Sequence, residues 1–228
     1  MADYKDIVGT AVRTNAGSLT SAQTGELFYD STALDFVYRF PNKTSAGTWR
    51  TGANMNTARA YNFATAGVQT AALNYGGNEP PGAVTGKTES YDGSTWTEVA
   101  DLNDTRGGNA GAGTYTAAIS TGGSSPGDTA NTETWNGSSW TEVNNLGQAR
   151  NRLAAVGLVT AALAYGGYGA PYYALTESWN GTSWSEVADL NTARNQLGGA
   201  GIQTAALAFG GAPGPTGATE SWNGSAWT

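Results

Sequence analysis

Four glutamates and four arginines are the first residues to ask chemistry of: Glu89, Glu133, Glu177 and Glu220, with Arg59, Arg106, Arg150 and Arg194. Two carboxylates can serve as acid and base only when their environments differ and their separation is defined. Each of these glutamates instead follows a threonine in a recurring segment, TESY at Thr88, TETW at Thr132 and TESW at Thr176 and Thr219. Equivalent positions in a repeat are spread through a fold, so a structural role is expected of them. A calcium site would need a DxDxDG-like loop, and none is present. The arginines could gather around an acidic sugar, but bonding to carbonyls between repeats or to the repeat glutamates is the expected role. The chain has no Cys and no His, which removes thiolate nucleophiles, disulfides, imidazole bases and His or Cys metal ligands. We therefore expect no catalytic residues, no metal and no cofactor.

The aromatics of the unequal loops are better candidates for binding. Tyr168, Tyr172 and Tyr173 lie in YGAPYY, where the other repeats carry NEPPGAVTG, SSPGDTAN or APGPTGA. Loops on a rigid scaffold are where binding residues collect, and aromatic rings can stack on a sugar face or enter a protein interface. The competing reading is that these rings cover the edge of their own sheet.

The elements that would position such loops follow from a beat of tryptophans at Trp49, Trp96, Trp140, Trp184 and Trp227. A period of about 44 residues points to a propeller or solenoid. Each unit runs from an arginine through a double glycine (Gly76, Gly122, Gly166 and Gly210 are the first of each pair) to the glutamate segment and then the tryptophan. In the third unit, Arg150 to Val156 reads as a first strand, Ala161 to Tyr165 as a second, Ala174 to Trp179 as a third and Ser183 to Val187 as a fourth. Asn180-Gly181 between the last two is a hairpin signal of the type I′ kind. The sequons at Asn136, Asn180 and Asn223 are read as these same turns, since their spacing follows the repeat.

A four-stranded meander cannot bury both faces alone, and radial stacking supplies neighbours while protecting edges. The fold class is all-β: a small β-propeller of about four blades of four-stranded antiparallel sheet, over residues 47–228. First strands rich in Ala and Gly (Ala110, Gly111, Gly113, Gly199, Ala200, Gly201) suit the crowded centre of a ring of few blades. Five tryptophan strands nevertheless meet four double-glycine sheets. Either the Trp49 strand completes the last blade and displaces the end from Ser225 to Thr228, or that end pairs with another chain.

The order of arginine, double glycine, aromatic and tryptophan resembles the kelch repeat from about Gly47 to Thr228, although Trp96 follows Tyr91 by only five positions, closer than is usual there. Kelch-like folds include galactose oxidase, whose copper site needs histidines and a cysteine-linked tyrosine; neither Cys nor His is available here.

Residues 1–46 stand outside the beat and form an attachment arm. Gly25 to Phe40, GELFYDSTALDFVYRF, reads as a hairpin with a turn near Asp30, and a lone hairpin is marginal in water. Leu27, Phe28, Tyr29, Phe36, Tyr38 and Phe40 are its candidate docking residues. The GEL-x-Y hairpin, together with the GIQTAALAFGG strand from Gly201 to Gly211, is similar to modules of bacteriophage tail-fibre and other virion appendage proteins. The resemblance implies a non-enzymatic structural or attachment protein of a phage virion, made in the host cytoplasm and docked to other virion proteins through the arm. An alternative is a lectin-like module recognising host surface glycan, and homo-oligomerisation on the particle is compatible with both.

The bulk properties limit the partners. A net charge of −7 with scattered basic residues is opposite to a nucleic-acid footprint. No apolar run is long enough for a membrane helix or a signal h-region, so neither insertion nor cleaved export is expected.

Overall fold

A computed structural model describes residues 51–61, 64–214 and 216–228, and the backbone of residues 13–15, 27–30 and 35–38. The chain divides into two compact units, Met1–Thr51 and Gly52–Thr228. In the first, β1 (Arg13–Asn15), β2 (Leu27–Asp30) and β3 (Asp35–Tyr38) form one sheet. β2 and β3 are antiparallel, with Leu27 opposite Tyr38 and Tyr29 opposite Phe36, which is the expected hairpin. β1 joins β2 in parallel, a pairing that the short polar run RTN does not announce. Phe40 and Trp49 lie outside the described residues.

The second unit is a four-bladed β-propeller arrangement. The first blade holds β4 (Thr65–Val68) and β5 (Ala71–Tyr75), a small ribbon of β6 (Asn78–Glu79) and β7 (Ala83–Val84), then β8 (Thr88–Tyr91) and β9 (Trp96–Val99). The second is β10 (Ala110–Thr114), β11 (Ala117–Thr121), β12 (Thr132–Trp135) and β13 (Trp140–Val143). The third is β14 (Ala154–Leu158), β15 (Ala161–Tyr165), β16 (Thr176–Trp179) and β17 (Trp184–Glu186). The fourth is β18 (Gly198–Ile202), β19 (Ala205–Phe209) and β20 (Thr219–Trp222), to which Trp227 adds a single bridge opposite Trp222. The inner strands pack in sequence, β4 on β10, β10 on β14 and β14 on β18. Together they line a channel of about 550 Å³ walled by Gly, Ala and a few larger apolar residues.

Small inner residues are required by what lands on them. A Cβ on Gly111 would sit 2.3 Å from the hydroxyl oxygen of Tyr75, which crosses from the first blade to donate to the Ile119 carbonyl at 2.9 Å. Tyr165 repeats the crossing from the third blade to the Leu207 carbonyl, at 3.0 Å. The core therefore lies between blades rather than within them. One cluster joins Leu73 and Tyr75 to Trp135 and Trp140, another joins Ile119 to Trp179, and a third joins Leu163 and Tyr165 to Trp222 and Trp227. Each of the three interfaces between consecutive blades is pinned by an indole N–H donating to the threonine of the preceding blade: Trp140 to Thr88 at 3.0 Å, Trp184 to Thr132 at 3.1 Å and Trp227 to Thr176 at 3.1 Å.

Three local expectations are corrected. Trp227 is buried and Thr228 exchanges backbone hydrogen bonds with Ser221, so the chain end fills the fourth-strand place of its own blade instead of being displaced. The first strand of the third unit is β14, beginning at Ala154, because Arg150 to Leu153 is a linker: Arg150 is buried in an ion pair and Arg152 has φ 54°. The Asn-Gly turn is a four-residue loop between Trp179 and Trp184. Only Gly181 takes positive φ, and the Asn180 side-chain oxygen accepts the N–H groups of Thr182 and Ser183, each at 2.9 Å. An Asx-type bond stabilises this loop without placing asparagine in the left-handed region.

Among the described residues the outward face of the fourth blade has no such neighbour. Leu207 is 44% exposed and Phe209 42%, whereas Leu163 and Tyr165, their equivalents in the third blade, are fully buried. Truncating equivalent leucines should therefore give unequal losses. Leu163→Ala is expected to cost about 2–5 kcal/mol, Leu207→Ala less than about 1 kcal/mol, as read from urea denaturation midpoints.

Candidate binding surface at the loop end of the blades

The repeat glutamates and arginines are built into the seams between blades. In each linker the arginine reaches the glutamate of the blade that follows: Arg59 to Glu89 at 2.6 Å, Arg106 to Glu133 at 2.8 Å, Arg150 to Glu177 at 2.5 Å and Arg194 to Glu220 at 2.7 Å. All eight side chains are nearly or wholly shielded from solvent. The second carboxylate oxygen accepts a backbone N–H from the same linker: Asn56 at 2.7 Å, Asn103 at 2.8 Å, Gly147 at 2.8 Å and Asn191 at 2.6 Å. The arginines also donate to carbonyls, Arg106 to Asn131 at 3.0 Å and Arg194 to Ala218 at 2.9 Å. Both roles expected of them, to carbonyls and to repeat glutamates, are present together. Burial drives the Arg106 guanidinium below its ordinary pKa, opposed chiefly by the facing Glu133.

Burial alone would raise the Glu89 pKa, but the N–H of Asn56, the Arg59 guanidinium and the N–H of Thr57 outweigh it and hold the carboxyl below its usual 4.5. A carboxyl whose folded pKa is depressed contributes stability fully above the unfolded value and loses it as pH falls through the folded one. The melting temperature should therefore drop as pH falls below about 4.5, and Glu89→Gln should flatten that fall over about pH 2–5 in thermal scans.

A different set of residues meets at the end of the blades that carries the unequal loops. There the residue directly after each double glycine pairs with the linker that leads into its own blade: Asn78 with Ala60, Ser124 with Gly107, Tyr168 with Asn151 and Ala212 with Asn195. Two residues beyond each ring arginine the chain enters the left-handed region, at Tyr61 (φ 48°), Gly108 (68°), Arg152 (54°) and Gln196 (52°). Their backbones are joined in sequence. Gly108 donates its N–H to the Tyr61 carbonyl at 3.0 Å, Arg152 to Gly108 at 2.6 Å and Gln196 to Arg152 at 2.8 Å. This ladder brings three unlike side chains, Tyr61, Arg152 and Gln196, and one glycine to one end of the propeller. Non-glycine residues in such conformations cost of order 1–3 kcal/mol each and are found disproportionately at ligand clamps.

Beside the ladder lies an open cavity of about 270 Å³ bounded by Tyr61, Gly108, Ser124, Asn151, Arg152 and Tyr168. The Arg152 guanidinium carbon stands 5.6 Å from the centre of the Tyr61 ring. Tyr168 meets Tyr172 edge-to-face with centroids 5.5 Å apart and planes at 63°. Of the three tyrosines expected to form a surface, Tyr168 thus lines the cavity and Tyr172 braces it from the exposed side. Tyr173 turns back: a Cβ on Gly169 would fall 2.6 Å from its ring, and its N–H donates to Gly167. It packs on its own loop. Arg152, Tyr61 and Asn151 were not foreseen. The one signal for them is that the position two beyond each ring arginine varies, Tyr, Gly, Arg, Gln, while the arginine never does.

Among the described residues no group of three or more acidic side chains is placed to hold a metal ion, and no helix is long and apolar enough to cross a membrane. No protein-family model matches the chain, and no curated protein matches it either.

Proposed function

We propose that this chain is a non-enzymatic structural or attachment protein of a phage virion, a tail, neck or capsid appendage that presents a kelch-like propeller. Residues 1–46 act as the arm that docks on other virion proteins, through the β2–β3 hairpin bearing Leu27, Phe28, Tyr29, Phe36 and Tyr38, with Phe40 just beyond. The observation that carries the reading is a division of labour within the repeat. The groups capable of acid–base work, Glu89, Glu133, Glu177 and Glu220, are held in buried pairs, while the residues that differ between repeats collect at one end of the blades. A scaffold of identical seams with unequal loops suits recognition by surface.

Cryo-electron microscopy of purified particles is the direct test. The expected result is density for the propeller on an appendage, lost when residues 1–46 are deleted while the separately purified propeller stays folded. Absence from every particle position overturns the virion role, and retained attachment after the deletion overturns the arm.

A second reading, recognition of host surface glycan, is favoured by the Tyr168–Tyr172 pair beside an open polar cavity.

A further inference from the structure

Arg152 is an exception among the cations. Arg59, Arg106, Arg150 and Arg194 are paired with buried glutamates and Lys87 with Glu79 at 3.2 Å. Among the described side chains Arg152 alone has no acidic partner, and its guanidinium meets only the Tyr61 ring. In a chain of net charge −7 an unpaired arginine is not explained by a shortage of carboxylates.

The fold does not need arginine at this place. The equivalent residues Tyr61, Gly108 and Gln196 adopt the same left-handed backbone and join the same ladder. Gly108, between Tyr61 and Arg152, lies against the Arg152 stem: a Cβ there would make an ordinary contact with the Arg152 Cγ at 3.5 Å. A strained backbone and an unpaired guanidinium thus combine to put one positive charge over an aromatic face at the rim of a cavity.

We propose that this cavity binds a carboxylated sugar ring, with Arg152 receiving the carboxylate and Tyr61 and Tyr168 offering the aromatic faces. A guanidinium fork matches a carboxylate with two parallel hydrogen bonds. A single cation suits a monoanion, whereas a polyanion such as nucleic acid needs many. The volume of about 270 Å³ lies at the small end of ligand sites, the size for one ring rather than a chain. The Ser124 hydroxyl and the Asn151 side chain face hydroxyl-bearing ligands well. Asn151 already donates to Asp128, and that carboxylate holds the amide on the cavity wall. The site deepens the glycan-recognition reading and rests on it, but not on the virion role.

The test is titration calorimetry on the full chain, with glucuronate- and galacturonate-containing oligosaccharides and their neutral glucose and galactose counterparts. Uronate ligands are expected to bind about tenfold or more tighter than neutral ones of the same length. Arg152→Gln places there the residue that the fourth blade already carries at Gln196, so the melting temperature should hold while the preference for uronate disappears. Tyr168→Ala should weaken acidic and neutral ligands alike. Binding of neither class up to millimolar concentration overturns the site. Equal binding of both, unchanged in Arg152→Gln, overturns the carboxylate assignment and leaves glycan recognition standing. The virion role is read separately, by where the propeller sits on particles.

Discussion

Replacing Arg106 with alanine is expected to destabilise the propeller by about 3–5 kcal/mol, the usual consequence of leaving a buried carboxylate without its partner. Both side chains of the Arg106–Glu133 pair are fully shielded, so water cannot take over from the guanidinium. Glu133 would keep the N–H and side-chain amide of Asn103, each at 2.8 Å, and those dipoles would have to hold a full negative charge between two sheets. Arg106 also caps the Asn131 carbonyl, which would keep only the Gly122 N–H. Domains of this size are stable by roughly 5–15 kcal/mol, so the loss removes a large share. Guanidinium denaturation of Arg106→Ala, Glu133→Gln and the double variant would check it. The double variant should recover part of the loss, because it removes the unpaired charge that makes the single variant costly. A loss below about 1 kcal/mol in Arg106→Ala would mean that the pair contributes no more than one exposed to solvent.

Trp179→Ala should match or exceed that effect, at about 3–5 kcal/mol. Trp179 is fully buried, stacks on Trp184 with centroids 5.2 Å apart and donates its indole N–H to the Val159 carbonyl at 2.8 Å. Besides Ala162 of its own blade its cluster holds Ala112 and Ile119 of the second blade, so the cavity would open at an interface between blades. Close-packed interfaces of short strands cannot collapse to fill it without breaking strand register. The measurement is the denaturation midpoint. Trp96, whose ring is only half-buried against Tyr91, is the comparison. Its replacement should cost distinctly less, although the repeat places it in the same register as Trp140, Trp184 and Trp227.

Much of the architecture was legible because it rests on residues that have few other uses. Double glycines at positive φ, tryptophans at one period and TES-x segments mark strand ends wherever they recur, and the second, third and fourth strands were located within about two residues of where they lie. The first strand was misplaced. Arg150 and Leu153 are as buried as strand residues, and burial without hydrogen-bond pairing looks the same in a sequence. The hairpin loops were assigned a turn too short, since Asn-Gly signals two different geometries and only the facing pair Trp179 and Trp184 decides between them. The cavity was half legible. Tyr168 and Tyr172 stood out as aromatics in an irregular loop, but Arg152 owes its position to a backbone dihedral that its own sequence context does not display.

The unmatched outer face of the fourth blade makes the propeller polar in how it comes apart. Among the described inner strands β10 and β14 each pack on two others, while β18 packs on β14, and Leu207 and Phe209 of the fourth blade lie exposed. In arrays where each unit touches only its neighbours, opening starts where a unit has the fewest of them. Amide exchange should thus begin at the fourth blade and travel toward the middle. The Tyr61, Gly108 and Arg152 rungs of the ladder lead into the first three blades and remain assembled while that end opens, so recognition and fraying occupy different parts of one molecule.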